Sequence, residues 1–388
     1  GYFLLDGRIQ PETNDDELRA YFLRTYALMQ ENGVYPTGVS CHATNAFCLK
    51  ALPFVDAVLD SEYPAEDYID TYPQERMIAM SVPHNFGVGI NHLMLPARWA
   101  AMHDASDQGA SAYKKSTFDN PAMKHWGITL DDVEFIPYWR NEHVVNHVDD
   151  GLIASLWKRP QSLIIGVCNY GPDKDGAEQA RKLALTLDLD ALGIPKGLDE
   201  ERLRLRETVP PPTGDWRKRK PHLRGLSIDR ASGVVRTDEA IPYHGTRFFV
   251  LHWETAPIDR ARLADAPEEA HRPLLDWGIN CAKPVETGPA DGKTPVRVKS
   301  NALDVKAWVR KSSLLLRVEN PTDTEQRVAL DLDLKPLGVH IDPETEKWRR
   351  FYQTTTLHGG GLKFDGYEQT VTGQLEPGQV KYVSIDRY

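Results

Sequence analysis

The sequence has few cysteines and no long apolar run. Its 388 residues include 4 cysteines, Cys41, Cys48, Cys168 and Cys281, none of them in a Cys-x-x-Cys pair or at a zinc-ligand spacing from histidine. No stretch reaches the roughly 18 apolar residues of a membrane span. We therefore predict no metal site and no membrane-spanning helix, and the cysteines leave the redox compartment open.

Positive charge is also in deficit. Lys and Arg total 46 against 56 Asp and Glu, a net charge of −10, which is unlike a protein that tracks nucleic-acid phosphates. The basic run 217–220 follows three prolines and is interpreted as a solvated loop. A phosphate loop, a Gly-x-Ser-x-Gly elbow and a His-Glu-x-x-His motif are missing from the sequence. We predict no nucleic-acid partner and no cofactor.

The first hundred residues alternate short apolar runs with spacers of helical size. Strand candidates cover 2–6, 38–41, 54–59 and 77–82, and a helical period covers 15–30. Each candidate strand ends in a polar cluster, and this alternation indicates a parallel α/β unit. Four such units are half of an eight-stranded barrel. The predicted fold class is therefore α/β followed by all-β, beginning with a partial (β/α) barrel.

From about residue 144 the pattern becomes β-rich and contains an internal repeat. The spacing of Trp157, Leu163, Val167 and Asn169 recurs in Trp308, Leu314, Val318 and Asn320, and 242–250 matches 376–384. We predict half a barrel with a helical joint over 1–143, a linker over 256–300, and antiparallel β-sandwich modules over 144–255 and 301–388. The linker has a helical patch near Pro267 to Trp277.

Carboxylates at the ends of the predicted parallel strands are the candidates for catalysis. Asp60 and Glu62 flank Ser61, and alternate residues of a strand share a face, so both carboxylates can enter one pocket. Two close carboxylates split their pKa values into one proton donor and one anion, which glycosidic cleavage requires. Asp6 is a third candidate acid. The alternative for all three is a solvated helix cap or turn.

Candidates for binding a sugar are expected at the same edge of the sheet. Polar partners for sugar hydroxyls are offered by His42, Asn45, His84 and Asn85. Tyr63 can supply a flat surface on which a sugar ring stacks. The alternatives are hydrogen-bonded structural histidines and a core aromatic residue.

Four segments in this order carry a resemblance to a known family. They are 54–63 with Asp60-Ser61-Glu62-Tyr63, 80–87 with Pro83-His84-Asn85, 135–139, and 153–160 followed by 167–170. Over roughly residues 1 to 195 the chain resembles the C-terminal half of large bacterial proteins similar to family 123-type glycoside hydrolases. The resemblance implies a barrel followed by a β-domain, and a glycan or polysaccharide as substrate.

The same resemblance places the catalytic pair outside this chain. That family carries an adjacent Asp-Glu pair on an earlier barrel strand, and the pairs at 16–17, 199–200 and 238–239 do not match that position. The resemblance thus implies that Asp60 and Glu62 contact the substrate. Ser61 stands where the family commonly has Gly.

We predict a carbohydrate-active protein, either a glycoside hydrolase or the C-terminal part of one. The alternative is a non-catalytic carbohydrate-binding or scaffold subunit. Apolar strands at 2–5 and 77–82 would leave open edges on a parallel sheet, so a partner chain or an N-terminal segment is expected to complete the barrel. An extracellular or periplasmic location is expected.

Overall fold

The computed structural model describes residues 15–34, 40–42, 57–60, 89–92, 126–127, 132–170, 179–207, 226–243, 245–310, 312–340 and 352–387. Two α-helices are present in this part of the chain: α1 (Asp15–Glu31) and α2 (Glu268–Trp277). Short 3₁₀ turns cover Arg260–Arg262 and Ile279–Cys281. None of the described helices is long and apolar enough to cross a membrane.

The N-terminal strands form a small parallel sheet. It consists of β1 (Ser40–His42), β2 (Ala57–Asp60) and β3 (Gly89–His92), paired in that order with both pairs parallel. The predicted strands 38–41 and 54–59 correspond to β1 and β2, displaced toward the carboxyl end. The sequence pattern missed β3, because Gly89-Ile90-Asn91-His92 contains one aliphatic residue and no apolar run. The predicted strands 2–6 and 77–82 lie outside the described residues.

Helix α1 agrees with the helical period predicted over 15–30. Its last turn closes where Gly33 takes a left-handed backbone (φ 66°), which L residues with a side chain adopt at a cost. The Gly33 N–H donates to the Gln30 carbonyl, and the Val34 N–H donates to the Met29 carbonyl. These bonds satisfy carbonyl groups that a helix end otherwise leaves without partners.

The remaining strands build two pairs of packed sheets. The first pair contains the strands β4 (Glu134–Ile136), β5 (Val145–Val148), β6 (Leu152–Arg159), β7 (Ser162–Asn169), β8 (Ala184–Leu187), β9 (Leu203–Glu207), β10 (Leu226–Ile228), β11 (Val234–Thr237) and β12 (Thr246–Trp253). Its sheets have the orders β10-β11-β8-β5 and β4-β6-β7-β12-β9. Buried aliphatic side chains of both sheets, including Leu156, Leu185 and Val235, form one core between them. We call this pair the first β-module.

The second β-module repeats the arrangement. Its strands are β13 (Lys283–Val285), β14 (Thr287–Pro289), β15 (Val296–Val298), β16 (Asp304–Arg310), β17 (Ser313–Glu319), β18 (Gln326–Leu332), β19 (Tyr352–His358), β20 (Lys363–Asp365), β21 (Thr370–Leu375) and β22 (Val380–Arg387). The sheet orders are β13-β16-β17-β22-β19 and β14-β15-β18-β21-β20. Leu316, Leu330 and Ile385 belong to the core between the two sheets.

Three details differ from the sequence-based description of these modules. Strands β13, β14 and β15 come from the stretch predicted as a linker; β13 pairs with β16, β15 pairs with β18, and β14 pairs with β15. Strand β4 lies before residue 144, yet it pairs with β6. Strands β14 and β15 are parallel, whereas the other pairs of the second module are antiparallel. Short strands of this kind give weak sequence patterns, because two or three residues cannot establish an alternation.

The hydrogen-bond registers of the two modules follow the sequence repeat. In the first module Trp157 is opposite Ile164 and Arg159 is opposite Ser162; in the second, Trp308 is opposite Leu315 and Arg310 is opposite Ser313. Each residue of the second set lies 151 positions after its counterpart. The central hairpin is therefore the same structural unit in both modules.

Equivalent hydrogen bonds in the two modules also join each hairpin to the rest of its module. The Asn169 side chain donates from Nδ2 to the carbonyl of Ile241 (2.9 Å), and Asn320 donates in the same way to the carbonyl of Leu375 (3.1 Å). Both asparagines are fully buried. Ile241 and Leu375 are each followed by a turn into the final strand of their module, so these bonds fix where β12 and β22 begin.

The outer faces of the two central hairpins are buried by different segments. In the first module Trp157, Ile164 and Phe248 pack with Trp126, which precedes the strands. In the second module Leu315 and Tyr382 pack with helix α2. Strands β7 and β17 are thus covered on both sides, which explains their continuous apolar sequences. Helix α2 lies in the stretch predicted as a linker, close to the helical patch expected there.

Candidate functional site

The parallel sheet brings three chain positions to one carboxyl edge. Strand β1 ends at His42, β2 ends at Asp60 and β3 ends at His92. Asp60 and His92 are register partners, and His42 is the register partner of Leu59. His92 was not predicted as a site residue. The structure thus places the backbones of His42 and Asp60 at neighbouring strand ends, as the parallel arrangement requires.

The other predicted site residues lie outside the described residues. They are Asp6, Asn45, Glu62, Tyr63, His84 and Asn85. Their convergence with Asp60 stays a prediction.

A separate cavity of about 360 Å³ lies between the two β-modules. Its walls come from the β6–β7 hairpin, β9, the end of β12, the end of α2 and the β16–β17 hairpin. This volume is within the range of small-molecule sites. None of the residues predicted from the sequence lines it. Its charged lining consists of four arginines and three carboxylates: Arg159, Arg204, Arg206, Arg310, Asp132, Glu254 and Asp276.

One wall holds a fully partnered arginine. Arg159 binds the Asp132 carboxylate through two parallel bonds, Nε to Oδ1 at 3.1 Å and Nη2 to Oδ2 at 3.2 Å. Its guanidinium carbon lies 5.5 Å from the centre of the Trp126 ring, and its Nη1 donates to the Trp126 carbonyl. The Trp126 indole N–H donates to the hydroxyl of Ser162. Every group in this cluster has a partner.

The opposite wall holds the equivalent arginine without an acid. Arg310 lies 5.3 Å from the centre of the Trp277 ring, so it stacks as Arg159 does on Trp126. No described residue forms an ion pair or hydrogen bond with its guanidinium, and burial lowers the pKa of Arg310 to about 10. The Trp277 indole nitrogen is buried without a partner among the described residues.

Helix α2 ends in a way that admits this arginine. Gly278 takes a left-handed backbone (φ 92°), and its N–H closes the helix on the carbonyls of Leu274 and Leu275. A Cβ at Gly278 would lie 2.7 Å from Nη1 of Arg310. Glycine is therefore needed both for the turn and for the space that the guanidinium occupies.

The floor of the cavity is a buried network of ion pairs. Arg204 donates from Nε to Asp276 (2.9 Å) and from Nη2 to Glu254 (3.4 Å), and Arg206 lies 3.6 Å from the same aspartate. Burial would raise the pKa of Asp276, but the positive charge of Arg206 and the charge and hydrogen bond of Arg204 lower it. Asp276 is consequently an anion whose charge is matched within the network.

His252 is the neutral member of the lining. It is 9% exposed, and burial, with help from the neighbouring arginines, holds its pKa well below the usual range despite the opposing effect of Asp276. Its Nε2 atom is buried without a partner in the described structure. A neutral imidazole offers one donor and one acceptor.

The lip of the cavity contains strained backbone. Pro160 and Gln161 form the two-residue turn between β6 and β7, and Gln161 has a φ of 63°. This geometry fits a turn with proline first and a left-handed residue second, a place where glycine is favoured. The Gln161 side chain stabilises this turn through two contacts. Its Nε2 donates to the Thr255 hydroxyl, and its Oε1 accepts a long contact from the Cys281 thiol. Burial and then Glu254 raise the pKa of that thiol.

The sequence offered a signal for this cavity that the motif search did not use. The repeat offset of 151 residues pairs Arg159 with Arg310 and Ser162 with Ser313. Two equivalent arginines at the tips of two equivalent hairpins indicate a shared feature, but their meeting in one cavity depends on how the modules pack. Among the described residues, no group of three or more His, Cys, Asp or Glu side chains is arranged to hold a metal ion.

Comparisons with known proteins give no family. No family model matches the chain, and no curated protein matches it. Among solved structures, it is similar to a noncanonic maltogenic alpha-amylase from Thermotoga neapolitana, with 10% identity and a TM-score of 0.36 over 63% of this chain and 60% of that one.

Two further structures are similar at the same level. A GH27 β-L-arabinopyranosidase from Geobacillus stearothermophilus, in complex with arabinose, has 9% identity and a TM-score of 0.33, covering 63% of this chain and 55% of that one. An alpha-amylase from Anoxybacillus has 10% identity and a TM-score of 0.31, covering 63% and 57%. The chain thus spans less than two thirds of each of these three structures. Likenesses at this level do not establish a shared fold or activity.

Proposed function

We propose that the chain is a carbohydrate-active protein, a glycoside hydrolase or the C-terminal part of one. The observation that carries the proposal is the carboxyl edge of the parallel sheet. There Asp60, at the end of β2, is the register partner of His92 in β3, and His42 ends β1 on the other side of β2. Parallel α/β sheets bind their substrates at this edge. The family 123-type resemblance of the sequence points to the same class of substrate.

In this proposal two carboxylates share the work at the end of β2. Asp60 is the last residue of the strand, and Glu62 follows two positions later. One carboxyl group protonates the leaving oxygen while the other, as an anion, stabilises the positive charge that develops on the sugar ring. Asp6 is a further acid of the site, while His42, Asn45, His84 and Asn85 contact sugar hydroxyls and Tyr63 stacks on the ring. A catalytic pair supplied from outside the chain would leave Asp60 and Glu62 with substrate contacts.

The proposed architecture is half a (β/α) barrel over 1–143, completed by a partner chain or an N-terminal segment. Three short parallel strands expose two edges unless further strands continue the sheet. The β-domains proposed over 144–255 and 301–388 are widened to include β4 in the first and β13 to β15 in the second, because these strands pair within them. We expect the protein to act on extracellular or periplasmic glycans.

A non-catalytic carbohydrate-binding or scaffold subunit is the second candidate. Its support is the extent of the β-modules, which contain all but three of the described strands. In that case the chain binds a glycan but does not hydrolyse it.

The test measures hydrolysis of a panel of aryl glycosides by the full chain and by Glu62→Gln. We expect the variant to lose at least about a hundredfold in kcat/KM, because general acid–base groups contribute about 10² to 10⁴ in rate. Glu325→Gln is the matched control, since it makes the same change at an exposed position of the second β-module. Light scattering on the same samples shows whether the chain is assembled beyond its 43.8 kDa.

The outcomes separate the two candidates. Turnover that disappears in Glu62→Gln and persists in Glu325→Gln supports a hydrolase with its acid in this chain. Sugar binding without turnover in any assembly supports the non-catalytic candidate and contradicts the hydrolase. Equal turnover in both variants removes Glu62 from the catalytic site.

A further inference from the structure

The cavity between the β-modules contains one arginine arrangement that is complete and one that is not. Arg159 stacks on Trp126 and binds a carboxylate, Asp132, through two parallel bonds. Arg310 occupies the equivalent hairpin position and stacks on Trp277, but no described carboxylate lies within ion-pair distance of it, and Asp386 and Glu254 attract it only from farther away. The incomplete arrangement lacks the group that Asp132 provides in the complete one.

Two buried polar groups without partners among the described residues line the same cavity as Arg310. The Trp277 side chain is 1% exposed, and its indole N–H, which can act as a donor but never as an acceptor, has no partner. The Nε2 atom of His252 is also buried and unpartnered. An unpaired buried polar group costs about 1–3 kcal/mol. Two groups of this kind in one cavity, beside the guanidinium of Arg310 stacked on Trp277, indicate that a ligand binds there.

The charges of the lining select a single negative charge. Among the residues that line the cavity, four arginines face three carboxylates, which leaves one positive charge in excess; Asp386, outside the lining, also attracts Arg310 but accepts its hydrogen bonds from Ser313 and Ser384. The three carboxylates each have an arginine: Asp132 binds Arg159, while Glu254 and Asp276 bind Arg204. A monoanion neutralises the excess, whereas a dianionic phosphate would overcompensate it and be repelled by the acids.

We propose that this cavity is a binding site for a small carboxylate, which Arg310 holds through two parallel bonds and to which Trp277 donates its indole N–H. A guanidinium matches the two oxygens of a carboxylate in this way, and Arg159 with Asp132 shows the geometry within the same cavity. The ligand is either a free organic acid or a sugar that carries a carboxylate. The site does not depend on the proposed glycosidase activity, since none of the residues assigned to that activity lines the cavity.

The experiment titrates the full chain with acetate, glucuronate, glucose and inorganic phosphate in an isothermal calorimeter. We expect saturable binding of glucuronate and no binding of glucose. Acetate, titrated separately, binds only if a carboxylate without a sugar is sufficient. Binding of both acids identifies a free carboxylate as sufficient, while binding of glucuronate alone identifies a carboxylate borne on a sugar. Both results support the site.

Two variants locate the binding. Arg310→Gln should weaken it by about 10- to 100-fold, because hydrogen bonds to a charged group contribute about 1.5–3 kcal/mol and 1.4 kcal/mol is tenfold. Trp277→Phe keeps the ring but loses the indole N–H, and should weaken binding by about 3- to 10-fold. Arg327→Gln removes an exposed arginine of the same module and should leave binding unchanged.

Three results would overturn the proposal. They are the absence of saturable carboxylate binding by the wild-type chain, affinity that both Arg310→Gln and Trp277→Phe retain, and tighter binding of phosphate or glucose than of glucuronate. Circular dichroism of each variant shows that it is folded. Trp277→Phe, which preserves the stacked ring, keeps the test decisive if Arg310→Gln fails to fold.

Discussion

The two β-modules share a central hairpin but differ in what covers its outer face. Trp157 and Trp308 have the same register position, yet Trp157 is fully buried against Trp126, while Trp308 is partly buried at the edge of the cluster around α2. Gly166 leaves space for the rings of Trp157 and Phe248, and Arg317 stands at the equivalent position of the second module. The hairpin geometry therefore depends on the repeat, and the outer packing depends on the segment that each module recruits.

Polar positions diverge in the same way. His252 near the end of β12 corresponds to Asp386 near the end of β22, 134 residues later. His252 is neutral with an unpartnered nitrogen, whereas Asp386 accepts bonds from Ser313 (2.7 Å) and Ser384 (2.9 Å). The same backbone position thus belongs to a fully hydrogen-bonded network in the second module and lines an open cavity in the first.

The strongest test of the comparison replaces the two equivalent tryptophans. Trp157→Ala should destabilise the chain by about 3–5 kcal/mol, since it removes a fully buried aromatic side chain. Trp308→Ala should cost about 2 kcal/mol, because part of that ring is already in water. Urea unfolding of the full chain, followed by far-UV circular dichroism, measures both. Equal losses would show that the outer faces are packed alike.

A smaller effect is expected at the two equivalent asparagines. Asn320 donates to three carbonyls, of Thr324, Leu375 and Glu376, and its Oδ1 accepts from Thr322. Asn169 donates to two carbonyls, and its Oδ1 has no partner in the described structure.

Asn320→Ala should therefore cost about 2–3 kcal/mol and Asn169→Ala about 1–2 kcal/mol, because each loss leaves buried carbonyls unpaired. The same unfolding measurement compares them. A larger loss for Asn169→Ala would contradict the hydrogen bonding that distinguishes the modules.

The smallest effect concerns the pH dependence that His252 introduces in the first module. Its folded pKa lies well below 6.5 because it is buried, with Asp276 opposing and Arg206, Arg204 and Arg310 reinforcing the shift. The unfolded chain binds a proton here as the pH falls below about 6.5, and the folded chain does not. Stability from this group is thus present above pH 6.5 and declines as the pH falls toward the folded pKa.

We expect His252→Gln to flatten the stability profile between about pH 6.5 and 5, by at most about 1.4 kcal/mol per pH unit. Thermal unfolding at half-unit steps of pH measures the slope. His143→Gln, a change at an exposed histidine, is the control and should leave the slope unaltered. An unchanged slope in His252→Gln would show that the fold does not lower the pKa of this histidine.

Much of the β-rich half is predictable because its strands alternate and repeat. Leu192-Gly193-Ile194 and Leu337-Gly338-Val339 form the same turn in the two modules, with left-handed glycines at φ 73° and 69°. The short strands β3, β13 and β14 were missed, because three or four residues with little apolar character carry no periodicity. Pairing with a neighbouring strand, rather than local preference, makes them strands.

The site was less predictable than the fold. The predicted acids rest on the position of Asp60 at a strand end, and most of their proposed neighbours lie outside the described residues. The cavity was not predicted because it depends on long-range packing. Arg204 and Asp276 are 72 residues apart, and Arg159 and Arg310 line the cavity from different modules. The repeat identifies equivalent residues, but not which of them face each other.

Helix α2 has a consequence for how the second β-module could be moved as a unit. The helix covers the outer face of the hairpin around Leu315, and β13 to β15 extend its sheets, so the natural unit of transfer begins near Ile258 rather than at Asn301. Grafting from the later residue would leave an apolar surface bare and would discard the part of the cavity wall that Leu275, Asp276, Trp277, Gly278 and Cys281 form. A transplanted second module must therefore include the segment between the modules, which is not a spacer that can be exchanged freely.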